Sequence, residues 1–213
     1  MRTPIIVALV ASLCLAATAL AEDYDWNTEV STSGNWSDTT EWSSTTGSYP
    51  GAVAGDIARI QSEWPSATIV VDGDYALSEL RIEKGNRSPH YASLTLDGTA
   101  NTLTVSDAVA LGNDASANRQ NIKCMLSGTA DLTMTGGLFR LNSTANTLTG
   151  QTYITGGELE VYSVGTGTIN VSGGGSLNPC QTLANPIVFD GGQYELLFNG
   201  APGTAFTGTV TLA

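Results

Sequence analysis

Glu158 and Glu160 stand two residues apart, as do Asp72 and Asp74, and on a strand that spacing puts both carboxyls on one face. Glycoside hydrolysis uses two carboxyls about 5–10 Å apart, one of them kept protonated by burial. The spacing supplies the distance, but an alternating polar face supplies no desolvation. Elimination chemistry needs a base among acids, and Lys84, Lys123, Arg81, Arg87, Arg119 and Arg140 form no motif. His90, the only histidine, lies in Arg87-Ser88-Pro89-His90-Tyr91 without a Ser or Cys partner motif. The sequence therefore predicts no enzyme, no catalytic residue and no cofactor.

Asp72-Gly73-Asp74 offers oxygens that calcium accepts, but no series of Gly-Gly-x-Gly-x-Asp nonapeptides follows it, so it reads as a turn. Cys124 and Cys180 with one histidine are too few and too far apart for a metal site, and none is expected. A bridge between them is permitted outside the cytosol. They fall about three repeat units apart, however, and stacked strands are separated by ~4.8 Å. A disulfide needs Cα atoms within about 7 Å, so two free thiols are expected.

The strongest binding lead is aromatic. Trp26, Trp36, Trp42 and Trp64 crowd the first third of the chain with Tyr24 and Tyr49. Flat ring faces stack on sugars, which makes Trp36, Trp42, Trp64 and Tyr49 candidate glycan contacts. Such rings are also the bulk a capping segment needs to seal a core, and packing is the leading reading.

The elements that would position these residues are strands. Short alternating runs, among them Thr68-Ile69-Val70-Val71, Thr102-Leu103-Thr104-Val105 and Thr168-Ile169-Asn170-Val171, recur between turn residues, and almost nothing reads as helix. An apolar residue, a small or polar one and two glycines recur at Met134–Gly137, Ile154–Gly157, Val171–Gly174 and Phe189–Gly192. A unit repeating at about twenty residues marks a solenoid whose coils stack on one another. Aligned on the glycines, Phe139, Leu159 and Tyr194 share an inward position, and Leu141, Val161 and Leu196 share the next. Arg140, Glu160 and Glu195 point outward between them. The third copy puts Ser176 at the inward position, which predicts a distorted coil. Gly112 to Ile122 is polar and reads as a loop.

The chain divides into an export signal at 1–21, an aromatic capping segment at 22–66 and repeats at 67–213. Arg2, the apolar run from Ile5 to Leu15 and Ala19-Leu20-Ala21 make a signal peptide cleaved before Glu22. The apolar run is too short for a membrane span. The mature chain is expected outside the cell or at its surface, the periplasm being a further option. Its formal net charge, −12 before Arg2 is removed, disfavours nucleic acid and acidic membranes. Extracellular polysaccharide or other surface proteins remain as partners. Thr207–Ala213 reads as a fresh strand with an open edge, so head-to-tail self-association is also expected.

The phrase Gly150-Gln151-Thr152-Tyr153-Ile154-Thr155-Gly156-Gly157-Glu158-Leu159-Glu160-Val161 resembles the autotransporter-associated β-strand repeat of bacterial surface and secreted proteins. Trp26, Gly34-Asn35-Trp36, Trp42, Pro50-Gly51 and Gly55-Asp56-Ile57-Ala58-Arg59-Ile60 are similar to the cap that opens such chains. The resemblance implies an all-β, right-handed parallel β-helix, displayed as a stalk or passenger without catalysis. The sequence shows neither a C-terminal barrel nor a sorting segment, so autotransport by this chain is not expected. A non-catalytic structural or matrix protein is the leading expectation, with a carbohydrate-binding module second and a polysaccharide-degrading enzyme third.

Overall fold

The computed structural model describes residues 20–26, 33–62, 66–84, 93–112, 118–192 and 206–213. Residues 1–19, where the export signal is expected, Trp64, Arg87, His90 and the residues around Tyr194 lie outside the described residues. Those described form an all-β chain without a helix. In chain order the strands are β1 (Asp23–Trp26), β2 (Ser33–Asn35), β3 (Trp42–Ser43), β4 (Ile57–Ser62), β5 (Ala67–Val70) and β6 (Tyr75–Lys84). There follow β7 (Leu94–Asp97), β8 (Thr102–Gly112), β9 (Gln120–Ile122), β10 (Met125–Gly128), β11 (Asp131–Gly136) and β12 (Leu138–Leu141). The last are β13 (Thr147–Leu148), β14 (Thr152–Val161), β15 (Ile169–Pro179), β16 (Ile187–Gly192) and β17 (Val210–Leu212).

Their pairings sort into three ladders. The first runs β1, β4, the second half of β6, the second half of β8, β11, the first half of β14, the first half of β15, β16 and β17. The second runs β2, β5, β7, β9, β12 and the second halves of β14 and β15. The third joins the first halves of β6 and β8 to β10 and β13. From β4 to β14 the chain meets the ladders in one repeating order: first, second, third. All these pairings are parallel. The exception is β3, which pairs antiparallel with β1 through Trp26 and Trp42.

Register turns the alternating pattern into continuous apolar columns. In the first ladder Tyr24, Ala58, Leu80, Val109, Leu132, Thr152, Ile169 and Ile187 stack in succession, each buried. Beside them run Ile60, Ile82, Leu111, Met134, Ile154, Val171 and Phe189. In the second ladder Ile69, Leu96, Ile122, Leu141, Val161 and Pro179 are in register. Parallel stacking of like on like buries each side chain under its counterpart, and at ~25 cal/mol per Å² of apolar area this is the main stabilising term.

The glycine phrase lies where a strand leaves the first ladder for the second. Gly137 and Gly157 have φ of 85° and 75°, a region side chains rarely enter. A Cβ on Gly157 would stand 2.3 Å from the Gly137 carbonyl oxygen, so the corner excludes other residues sterically as well.

Two sequence expectations are corrected here. In the third copy the inward position falls to Leu177 and not to Ser176, because the copy carries one glycine more than its neighbours, and the coil's irregularity is a register shift at those glycines. Ile154 pairs with Val171 but Gly156 pairs with Gly174, and this slip brings Leu177 opposite Leu159, fully buried, with Ser176 opposite Glu158. Residues 112–122 are not wholly loop either. Gln120–Ile122 forms β9, held between β7 and β12, and the Gln120 amide oxygen accepts the Leu94 N–H.

Asp56 is buried at the entry to β4. Its carboxylate accepts the N–H groups of Glu22, Gly51 and Val53, tying the residue before β1 to the turn before β4. A buried carboxylate is tolerated only with such partners.

Candidate functional site

Two groups of residues could carry function: the aromatic cluster at the N-terminal end, and a charged cluster on the second ladder that the sequence did not reveal.

The aromatic cluster is a packed unit. Trp36 and Trp42 meet edge to face with centroids 4.9 Å apart, and Trp42 meets Trp26 the same way at 5.0 Å. Tyr75 stacks on Trp36 at 5.9 Å and takes the edge of Tyr49 at 5.7 Å. Polar edges are committed too: the Trp36 indole donates to the Pro50 carbonyl at 2.8 Å, and the Trp42 indole to the Trp36 carbonyl at 2.7 Å. Trp36 is 0% and Trp42 4% exposed, so neither offers a ring face to a sugar; Tyr49 is half-buried against the core. Trp64 lies outside the described residues.

Around the cluster the acidic side chains act as ties. Asp72 accepts hydrogen bonds from the Ser37 hydroxyl and N–H and, at 2.7 Å, from the Tyr75 hydroxyl, while Asp74 accepts the Thr102 N–H. Partial burial of Asp72 opposes its charge, but these donors outweigh it and hold the carboxyl below its ordinary pKa. The Tyr75 hydroxyl is pushed up, first by burial and then by Asp72. Glu22, exposed, takes the Thr45 and Thr46 donors and falls to about 2.

The second group is an ion cluster on the outward face of the second ladder. Asn121, Arg140, Glu160 and Asn178 occupy one register column on β9, β12, β14 and β15. Glu160 is 2% exposed rather than solvated on an outer face as the alternation predicts, a second correction to that pattern. One of its oxygens accepts from the Arg119 guanidinium and the other from Arg140 Nε. Glu158, its partner in the i, i+2 pair, accepts the Asn178 amide at 2.9 Å. Burial opposes the charge of Arg140, yet the hydrogen bond and charge of Glu160 raise its pKa. The nearby Cys180 thiol is pushed up by burial first and by Glu160 next.

Chemically this cluster is an ion lock. Glu160 is held between two guanidinium groups, one on each oxygen. The parallel register already pairs Arg140 with Glu160, so that contact was available to sequence reasoning. Arg119 was missed because it precedes β9 in a stretch read as loop.

Cys124 and Cys180 are both free thiols. Cys124 is buried, and desolvation pushes its thiol up to about 12. No helix of the described residues is long and apolar enough to cross a membrane. Set against family models, curated proteins and solved structures, the chain finds no match in any of the three comparisons.

Proposed function

We propose that this chain is an exported, non-catalytic right-handed parallel β-helix, serving as a structural or display rod at a bacterial surface or in an extracellular matrix. The observation that carries the reading is the unbroken order in which the chain revisits three parallel ladders, with like residues stacked in each column. One turn of such a helix is one repeat, and the autotransporter-associated repeats that the Gly-Gly phrase resembles are of this kind. Residues 22–66 act as its cap, their aromatic rings filling the end of the core.

The non-catalytic part of the reading rests on the commitments of the acidic residues. Asp56, Asp72 and Glu160 each bind donors that hold structure together, and Glu158 is engaged by Asn178. Export rests on the signal-like residues 1–21.

Limited proteolysis of the secreted product, with N-terminal sequencing, tests both halves. The expected result is a chain beginning at Glu22 whose 67–192 region persists under protease. Rapid cleavage throughout that region would sink the rod reading, and retention of residues 1–21 would sink export by signal cleavage.

A further inference from the structure

Three neighbouring connections lead from the second ladder to the third, and they differ in length. β7 reaches β8 through Gly98–Asn101, and β12 reaches β13 through Asn142–Asn146. Between them, β9 reaches β10 through Lys123 and Cys124 alone. A short turn flanked by two longer ones leaves a recess, and a groove of about 340 Å³ lies there. Lys123 and Met125 form its floor, Thr99 one wall, and Asn142, Ser143 and Thr144 the other.

The walls are braced rather than loose. Asn101 closes the first turn through its N–H to the Gly98 carbonyl and donates its side-chain amide to the Val71 carbonyl. Asn146 anchors the other turn: its amide oxygen accepts the Leu126 N–H at 2.8 Å, and its nitrogen donates to the Ser163 carbonyl at 2.7 Å. The Asn142 N–H donates to the Ile122 carbonyl. Such a groove needs little ordering before it binds, which lowers the entropic penalty of association.

Its lining selects a class of ligand. The Thr99, Ser143 and Thr144 hydroxyls both donate and accept hydrogen bonds, and the Met125 side chain adds an apolar patch. Lys123 lies 3.3 Å from Asp97, so its charge is matched and the groove carries no excess positive charge for a phosphate or a uronate. The chain's net charge of −12 opposes anions further. Many donors and acceptors with one apolar patch and no net charge complement a neutral sugar, whose hydroxyls do both and whose ring C–H face is apolar. At this volume, near the lower end for ligand pockets, the groove takes one sugar unit and not a folded partner.

We propose that this groove is a binding subsite for one unit of a neutral polysaccharide, distinct from the tryptophan cluster and additional to the scaffold role. The Lys123 ammonium, with donors left over from Asp97, and the Ser143 and Thr144 hydroxyls hold the sugar hydroxyls. Met125 meets its apolar face.

Saturation-transfer NMR on the 22–213 chain tests this, with cellohexaose, maltohexaose, xylohexaose and mannohexaose as neutral probes and hexagalacturonate as the acidic one. The expected result is transfer from at least one neutral probe, weakened about tenfold or more by Ser143→Trp, which fills the groove from an exposed turn, and by Lys123→Ala. Thr133→Ala, on the outward face of β11 and away from the groove, is expected to leave it unchanged. Circular dichroism melts of each variant separate lost binding from lost folding. No transfer from any neutral probe, transfer from hexagalacturonate alone, or transfer undiminished in a folded Ser143→Trp chain would each overturn the proposal.

Discussion

At the N-terminal end of the first ladder, β1 is covered on both edges: β4 pairs with one and β3, turned antiparallel, takes the other. At the far end β17 pairs with β16 alone among the described strands. Val210 and Leu212 continue the columns of Ile187 and Phe189, yet they are 47% and 75% exposed where the residues beneath them are buried. The same alternating pattern is thus core at one level and surface at the next. Burial in this molecule belongs to the stack and is conferred on each strand by the strand that follows it. A strand added at the β3 edge of β1 would have to displace β3.

The largest expected effect is at the covered end. Trp36→Ala removes a fully buried ring and leaves the Pro50 carbonyl without its donor; a loss of about 3–5 kcal/mol is expected in urea unfolding. A loss under ~1 kcal/mol would mean the cap is not packed as described. A matched pair then sharpens the contrast between stacked and open levels. Leu159→Ala, inside a column, is expected to lose about 2–4 kcal/mol, whereas Leu212→Ala stays within ~0.5 kcal/mol. Equal losses would show that something covers β17 in solution.

The ion cluster comes next. Glu160→Gln leaves Arg119 and Arg140 facing each other without their shared anion. Since both arginines are partly exposed, the expected loss is about 1–3 kcal/mol, less than for a fully buried pair. Arg140→Gln in the Glu160→Gln background should recover part of it, and a double-mutant cycle reads the coupling directly.

The smallest effect is in pH. Glu22, Asp38 and Asp72 all have carboxyls held below their ordinary values by hydrogen bonds, Asp72 against partial burial. A depressed folded-state pKa stabilises above the unfolded value and loses that contribution as pH falls through the folded one. Acid titration from pH 5 towards pH 2 should therefore loosen the N-terminal end first. All four tryptophans lie between Trp26 and Trp64, so their fluorescence should change before the far-ultraviolet strand signal. Coincident transitions would remove this difference between the ends.

The strands and their inward residues were legible because a parallel stack writes its register into the sequence as repetition: Phe139 opposite Leu159 needs only the glycines to be aligned. Three features escaped for identifiable reasons. Leu177 was hidden by one added glycine, since a period-two pattern reverses its facing with a single-residue slip. Glu160 was read as solvated because its cover depends on Arg119, which is 41 residues away in the chain. The groove was invisible because it arises from the difference in length between three turns, and no single turn carries the signal. In the aromatic segment packing was the leading reading and stacking on sugar the second, and burial of Trp36 and Trp42 favours packing for those rings.

The extra glycine in β15 has a meaning for how such a chain changes over generations. One added residue at a strand corner shifts the phase of everything after it, and here the corner absorbs the shift, with Gly173 at φ 60° taking up the slack. At this corner one added residue is accommodated because the column is re-indexed there, so that Leu177 still faces Leu159. A residue gained at such a corner changes the length of the unit and leaves the interior the same.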